Sequence, residues 1–186
     1  MEKSITIRPY QKDDHDQIQK VCLETGYGQE LPPKPMQDML LTAFCNYYIE
    51  EEPENCFVAA DGDTAVGYIL CAKDTVFWSG SFLKKYVPDF EVSPLKPFYQ
   101  GIMEAPLKFA GQYPAHLHID ILPEYQRMGI GFRLMDALTA HLKGQGVPGL
   151  MLSVAGDNEK GKNFYKKYGF GVLEETEHEI VMGILL

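Results

Sequence analysis

The sequence predicts a mixed α/β (α+β) fold, in which a sheet of about six to seven strands is flanked by helices, with a helical insertion near residues 75–114. Two apolar runs, 56–60 and 64–72, flank Asp61-Gly62-Asp63, a tight-turn sequence that is typical of a β-hairpin. From residue 116 onward, strand-like and helix-like patterns alternate. Since a hairpin supplies antiparallel pairs and β-α-β units supply parallel ones, the sheet should contain both.

The N-terminal third is predicted to contain one strand and two helices. Ile5 and Ile7 alternate with polar residues, as in a half-buried strand over Ser4–Tyr10. Apolar residues then recur at helical spacing over Asp13–Thr25 and, after a proline-rich stretch, over Met36–Glu50.

The segment 74–115 is rich in aromatic residues and punctuated by prolines. A structureless loop of that length is uncommon in a compact domain, so short helices are expected here.

The C-terminal part shows regular alternation of strand and helix patterns. The predicted elements are a strand at His116–Leu122, a helix at Gly129–Lys143, a strand at Leu150–Val154, a helix at Asn158–Tyr168, and one bent strand or two strands over Val172–Leu186.

Length and composition favour a single soluble domain over residues 1–186. The apolar share of 45% and charged share of 23% are those of an ordinary globular protein. No apolar run approaches the ~20 residues of a membrane span, and the first ten residues lack the apolar stretch of a signal peptide. A cytoplasmic protein without a membrane partner is therefore expected.

The net charge and the spacing of the cysteines argue against further classes of protein. The net charge of −9 argues against nucleic acid as a partner, because phosphate binding relies on clustered Lys and Arg. No C-x-x-C pair occurs, and four isolated cysteines are expected to be buried free thiols in a reducing compartment: Cys22, Cys45, Cys56 and Cys71.

The central motif is Gln126-Arg127-Met128-Gly129-Ile130-Gly131, between a predicted strand and a predicted helix. The first N–H groups of a helix have no intrahelical partner and carry partial positive charge, so a diphosphate can accept their hydrogen bonds. Glycines at 129 and 131 allow close approach, and Arg127 adds positive charge. The third glycine of a dinucleotide fingerprint would fall at Leu134, which argues against a Rossmann dehydrogenase.

Residues 122–131, Leu-Pro-Glu-Tyr-Gln-Arg-Met-Gly-Ile-Gly, resemble the acetyl-CoA signature of the GNAT superfamily of N-acetyltransferases. A second signature matches at the expected distance, with Leu152-Ser153-Val154 on a strand, then Asn158, then Asn163–Phe170. The resemblance covers 115–175 well and the N-terminal half by topology. Residues 116–126 are also similar to the acetyltransferase-like domain of some O-GlcNAc hydrolases and to its stand-alone bacterial relatives.

The resemblance implies transfer of an acetyl group from acetyl-CoA, as co-substrate, to an amine acceptor by direct attack in a ternary complex. It implies a cofactor site formed by Ile121, Leu122, Gln126, Arg127, Met128, Gly129, Ile130, Gly131, Asn158 and Phe164. Within it, the backbone of Ile121 and Leu122 would receive the pantetheine arm. Asn158 would contact the arm from the other side or cap the helix that follows.

The resemblance also implies that Tyr165 is the general acid, pointing at the thioester sulfur; the alternative is that Tyr165 belongs to the helix's core face. His116, His118 and Asp120 alternate along one strand and share one face. Asp120 is the first choice for the general base and His118 the second, although Asp120 could instead hold a neighbouring loop or the histidines.

Two other functions remain open. The chain could be a catalytically silent module that binds acyl-CoA. Less favoured is a metal-dependent hydrolase using His116, His118 and Asp120, because metallo-hydrolases use H-x-H-x-D-H and residue 121 is Ile. No metal is expected in the preferred interpretation.

The acceptor is predicted only as a small-molecule or peptide amine. Residues 36–51 and the aromatic segment 76–109 would form the walls of its site, with Trp78 able to bind a cation, or else those aromatics pack as core. The apolar end Ile180–Leu186 could pair with another subunit's sheet in a homodimer or form a buried internal strand.

Overall fold

The computed structural model describes residues 4–186. The prediction that no signal peptide is present rests partly on residues 1–3, which lie outside this range. The strands are β1 (Ile5–Pro9), β2 (Phe57–Asp61), β3 (Thr64–Ala72), β4 (Ala115–Ile121), β5 (Gly149–Ala155), β6 (Gly171–Glu175) and β7 (Glu179–Leu185). The α-helices are α1 (His15–Tyr27), α2 (Lys34–Leu41), α3 (Tyr47–Glu51), α4 (Thr75–Tyr86), α5 (Lys96–Phe109), α6 (Ile130–Gly144) and α7 (Glu159–Tyr168).

The chain divides into two compact units, and the first comprises the described residues up to Cys71 together with His118–His141. In this unit β1 pairs antiparallel with β2, and β2 pairs antiparallel with β3, which confirms the predicted hairpin. The end of β4 lies beside β3, where the N–H of Leu122 donates to the carbonyl of Val66 at 3.0 Å.

The second unit comprises Ala72–Leu117 and Leu142–Leu186. The start of β4 runs parallel to β5, with Ala115 opposite Leu150, while β5 pairs antiparallel with β7 and β7 with β6. Hydrogen bonding thus joins the strands in the order β1-β2-β3-β4-β5-β7-β6, which confirms a mixed seven-stranded sheet. That a single domain spans residues 1–186 stays a prediction.

The helix after the predicted phosphate loop is held by its apolar face. Ile130, Leu134 and Leu138 of α6 are at most 1% exposed, as their helical spacing predicts. Full burial of side chains of this size stabilises a fold by roughly 1.5–3 kcal/mol each. The start of α6 is therefore held in place by its buried side chains.

The insertion is helical, as predicted, and consists of α4, a short 3₁₀ turn and α5. Its large aromatic rings form a core: Trp78 stacks on Phe82 with ring centroids 5.4 Å apart, and Phe82 meets Tyr99 edge-on at 5.8 Å. All three side chains are buried. Since a buried indole cannot receive a solvated cation, the prediction of Trp78 as a cation site is wrong and the core alternative holds.

The predicted helical stretch Met36–Glu50 is confirmed, because α2, a π-helical turn at Thr42–Asn46 and α3 follow one another without a break. A π turn differs from the α-helix in its i→i+5 hydrogen bonds, so the sequence pattern did not predict it.

The C-terminal tail forms two strands, one of the two predicted outcomes. Because β7 is paired on both sides, by β5 and by β6, it cannot add a strand from a second subunit. The internal-strand interpretation of Ile180–Leu186 is thus the correct one.

All four cysteines are buried free thiols, as predicted. Between residues 4 and 186, no helix is both long and apolar enough to cross a membrane.

Candidate active site

The predicted phosphate loop connects β4 to α6 and is tied down at two points. The hydroxyl of Tyr125 donates to the carboxylate of Asp61, the last residue of β2 before the hairpin turn, at 3.0 Å. The side-chain amide of Gln126 donates to the carbonyl of Ile121 at 2.9 Å. The loop is therefore held against the hairpin turn and the end of β4.

The loop backbone has the curvature of an anion cradle. Arg127 has a φ of 62°, the only positive φ at a non-glycine residue in the described chain, and Gly129 has a φ of 74°. A Cβ atom on Gly129 would meet no other atom within 4 Å, so the space in front of it is open. Left-handed residues in such a turn can direct successive N–H groups to one side, which suits an anion.

Helix α6 begins directly behind this cradle. The N–H of Arg133 donates to the carbonyl of Gly129 at 3.3 Å, so Gly129 is the N-cap residue of α6. The N–H groups that follow lie at the positive end of the helix dipole. Ile130 is buried, so only its backbone can reach a ligand, whereas the side chain of Met128 is 45% exposed. Gly131 lies in the first turn of α6.

The backbone groups predicted to receive the pantetheine arm already have protein partners. The N–H of Leu122 donates to Val66, and its carbonyl accepts from the N–H of Tyr125 at 2.9 Å. The carbonyl of Ile121 accepts from Gln126. Each carbonyl oxygen can accept a second hydrogen bond, so a ligand would share these acceptors.

The three alternating side chains of β4 have three separate environments. His116, in the second unit, is 3% exposed; its Nδ1 lies 2.8 Å from the Thr75 hydroxyl, and its ring lies 4.4 Å from that of Trp78. It is therefore a satisfied core histidine.

His118 lies in the first unit against the helices that follow α1. Its Nε2 lies 3.0 Å from the Tyr48 hydroxyl, and the Phe44 ring meets its ring edge-on at 5.2 Å. Burial lowers the pKa of His118 to about 4, because the charged imidazolium would lose its hydration. The neutral ring is thus a weaker proton acceptor than an ordinary histidine.

The pKa of Asp120, which is also in the first unit, is raised rather than lowered. Burial raises the pKa of its carboxyl group, and the hydrogen bond from Tyr68 only partly offsets this effect. The Tyr68 hydroxyl donates to Asp120 Oδ2 at 2.6 Å. Asp120 is therefore a stronger base than a solvated aspartate, whereas His118 is a weaker base than a solvated histidine.

In the second unit, α7 carries the remaining predicted residues. Asn158 caps this helix, with its side-chain oxygen accepting from the N–H of Gly161 at 2.9 Å. The capping alternative is therefore correct, and the amide nitrogen of Asn158 is a donor that could serve a ligand as well.

Tyr165 lies on an aromatic face of α7 that is not a closed core. Its ring contacts Phe164 at 5.1 Å and Phe170 at 5.7 Å, both edge-on. No side chain of α7 is fully buried. The role of Tyr165 as general acid and the alternative that it belongs to the core face of α7 both stay predictions.

Several residues around β4 could not be identified from the sequence: Thr25, Phe44, Tyr48 and Tyr68. The sequence contains one indication of Tyr68. It is the only hydroxyl-bearing residue among the eight buried positions of β3, and a buried phenol needs a hydrogen-bond partner. The others come from α1, the π turn and α3, whose approach to β4 depends on tertiary packing.

Within the described residues, no group of three or more His, Cys, Asp or Glu side chains is placed to hold a metal ion. Instead, His116, His118 and Asp120 contact Thr75, Tyr48 and Tyr68, respectively.

Comparison with known proteins identifies relatives along nearly the whole chain. The rat protein O-GlcNAcase is 26% identical over 183 residues, a match that covers 90% of this chain but only 20% of the relative's own length. The fission yeast (Schizosaccharomyces pombe) N-alpha-acetyltransferase 30 is 24% identical over 166 residues, covering 89% of this chain and 83% of the relative. The chain thus spans about a fifth of the O-GlcNAcase that it resembles.

Among solved structures, the crystal structure of SsHAT superposes with a TM-score of 0.81 and 28% identity, covering 98% of both chains. The model of the acetyltransferase (GNAT) family matches residues 17–170, which include the phosphate loop, β4 and α7. This chain belongs to the acetyltransferase (GNAT) family.

Proposed function

We propose that the protein transfers an acetyl group from acetyl-CoA to an amine acceptor by direct attack in a ternary complex. The observation that carries this proposal is the cradle at Arg127 and Gly129, whose positive φ angles and open front precede the start of α6. A bound diphosphate would accept hydrogen bonds from the first N–H groups of α6, and Arg127 would add a positive charge. Gln126, Met128, Ile130 and Gly131 complete this binding segment, and Ile121, Leu122, Asn158 and Phe164 would contact the pantetheine arm.

In the proposed reaction, acetyl-CoA supplies an activated acetyl group as a thioester. Asp120 takes one N–H proton from the acceptor amine as its nitrogen bonds to the carbonyl carbon. The C–S bond breaks, and the phenol of Tyr165 donates its proton to the departing sulfur, leaving free CoA and the amide. Asp120 and Tyr165 then return to their resting states by proton exchange with solvent.

The acceptor is proposed to be a small molecule or a peptide. The fission yeast relative is named as an N-alpha-acetyltransferase, so peptide α-amino groups are the first acceptors to test. Polyamines and amino sugars complete the panel.

The first experiment is calorimetric titration with acetyl-CoA and with dephospho-CoA. Both should bind, because dephospho-CoA keeps the diphosphate that the loop is proposed to recognise. Gly129→Val should weaken both affinities by about tenfold or more, since a side chain would enter the open front of the cradle.

A matched control separates this effect from backbone strain. Gly146 has a φ of 72°, and a Cβ atom there also meets nothing within 4 Å. Gly146→Val should therefore incur a similar strain, about 1–2 kcal/mol, without loss of affinity. Equal affinities in wild type and Gly129→Val would exclude the cradle. Binding without acetylation of any amine would instead indicate a silent acyl-CoA-binding module.

A further inference from the structure

Tyr68 is a buried polar side chain that takes no part in the proton transfers of the proposed reaction. It lies on β3, whose other buried residues are apolar or glycine, and it is 0% exposed. Its hydroxyl donates to Asp120 Oδ2 at 2.6 Å, a distance typical of a hydroxyl that donates to an ionised carboxylate. Burial raises the pKa of Tyr68 well above its usual value, so the phenol keeps its proton and remains a donor.

The hydrogen bond from Tyr68 is the main interaction that fixes the orientation of the Asp120 carboxyl group. The groups near the carboxyl are Tyr68 from β3, Thr25 from α1 and Cys45 from the π turn, while Cys22 of α1 lies near Tyr68. None of them is a permanent cation. Among the described residues, the Tyr68 hydroxyl donates to the carboxyl group at 2.6 Å, whereas the Thr25 hydroxyl donates to the carbonyl of Val21 in its own helix at 2.8 Å.

The backbones of β3 and β4 also lie very close together beside Asp120. A Cβ atom on Gly67 would lie 2.9 Å from the carbonyl oxygen of Asp120 and 3.2 Å from the Cα of Ile121. Only glycine permits β3 to approach β4 so closely, and this approach brings the neighbouring Tyr68 within reach of the Asp120 carboxyl group.

We propose that Tyr68 is a positioning residue for acetyl transfer, whose hydroxyl holds Asp120 Oδ2 and so fixes the orientation in which the carboxylate takes the proton of the acceptor amine. This inference rests on the proposed function. The proton passes from the amine nitrogen to Asp120, and Tyr68 neither gains nor loses one.

The test compares Tyr68→Phe with wild type in two ways. An NMR titration of isotope-labelled aspartate carboxyls, with Asp120→Asn to assign the signal, measures the pKa of Asp120. The pH profile of kcat/KM with acetyl-CoA and the best acceptor of the amine panel measures the working base. Loss of a hydrogen bond to the carboxylate should raise the pKa of Asp120 by about one pH unit, and the acidic limb of the profile should move to higher pH by the same amount.

On the alkaline side of that limb, kcat should fall by about tenfold while KM for acetyl-CoA stays unchanged, because orientation rather than cofactor binding is lost. Tyr47→Phe is the matched control: Tyr47 is equally buried, and its hydroxyl donates to a different carboxylate, Glu52, at 3.1 Å. It should change neither the titration nor the profile. If Tyr68→Phe does not fold, 3-fluorotyrosine at residue 68 keeps the ring and strengthens the donor, so the pKa of Asp120 should fall instead of rise, and an unchanged pKa would overturn the positioning role.

The outcomes separate the two proposals. An active Tyr68→Phe enzyme with an unchanged Asp120 titration and an unchanged pH profile would overturn the positioning role alone. A wild-type protein that acetylates no amine would contradict the proposed function and, with it, a role of Tyr68 in catalysis. Shifts in the Asp120 titration and in the pH profile of Tyr68→Phe that are absent in Tyr47→Phe would establish the positioning role.

Discussion

Tyr165 and Tyr68 differ in how far the neighbouring sequence indicates the role of a single residue. The second signature, Asn163–Phe170, indicates Tyr165 as the general acid, and the structure adds that its ring lies on a partly exposed aromatic face. Tyr68 belongs to no motif. Its contact with Asp120 joins residues 52 positions apart, and pattern reasoning along the chain cannot predict so distant a pair.

Tyr165→Phe should lower kcat by about a hundredfold while changing the affinity for acetyl-CoA little, because the ring remains and only the donated proton is lost. Turnover by thiol release and calorimetric affinity are the two measurements. Tyr168→Phe, about one turn beyond Tyr165 at the end of α7, is the control and should keep its kcat. A fully active Tyr165→Phe would remove Tyr165 as the acid.

At the scale of elements, the contact between β3 and β4 decides where the candidate base lies. The hairpin that contains β3 and the strand that contains Asp120 are both predictable from residue patterns. Their close approach at Gly67 is not, since a glycine inside a strand can equally mark a bulge or a packing site. The π turn between α2 and α3 was missed for a similar reason, because its presence depends on hydrogen bonds rather than on apolar spacing.

Gly67→Ala should destabilise the protein by about 1–3 kcal/mol, because its Cβ would press on the backbone of β4. The displaced strand should also carry Asp120 away from Tyr68, so activity should fall more than stability alone explains. Gly80→Ala in α4 is the control: its Cβ meets open space, so a gain of roughly 0.5–1 kcal/mol is expected. Urea unfolding measures both, and an unchanged stability of Gly67→Ala would show that the strands are not in tight contact.

At the scale of the whole molecule, the protonation of buried and exposed histidines sets part of the pH dependence of stability. The pKa of His118 is lowered to about 4, whereas Asp16, through a hydrogen bond, and then Glu50 raise the pKa of His15. Between the unfolded value of about 6.5 and pH 4, the unfolded chain protonates residue 118 but the folded chain does not. His118 therefore reduces stability as the pH falls through this window. His15 has the opposite sign, because its stabilisation is complete below about 6.5 and is lost as the pH rises through its raised pKa.

His118→Gln should consequently flatten the fall in the free energy of unfolding between pH 6.5 and 4 by roughly 1–2 kcal/mol, allowing for partial solvent exposure. His15→Gln should leave that fall unchanged and should instead reduce, by a few tenths of a kcal/mol, the loss of stability as the pH rises above 6.5, since its ion pairs are exposed. Denaturant unfolding from pH 4 to about pH 8 tests both. Equal slopes in wild type and His118→Gln would show that His118 is not buried in its neutral form.

The sequence by itself determined the class of sheet, the positions of the hairpin and of the phosphate loop, and the helical insertion, because each depends on local patterns: strand alternation, helical spacing and turn residues. Membership of the GNAT family could be predicted for the same reason, since its signatures are short and ordered along the chain. Only the tertiary structure decided that Trp78 is core, that β7 is internal and that Tyr68 holds Asp120. These outcomes depend on which distant segments pack together, and burial then sets whether a side chain is a base, a donor or a core ring.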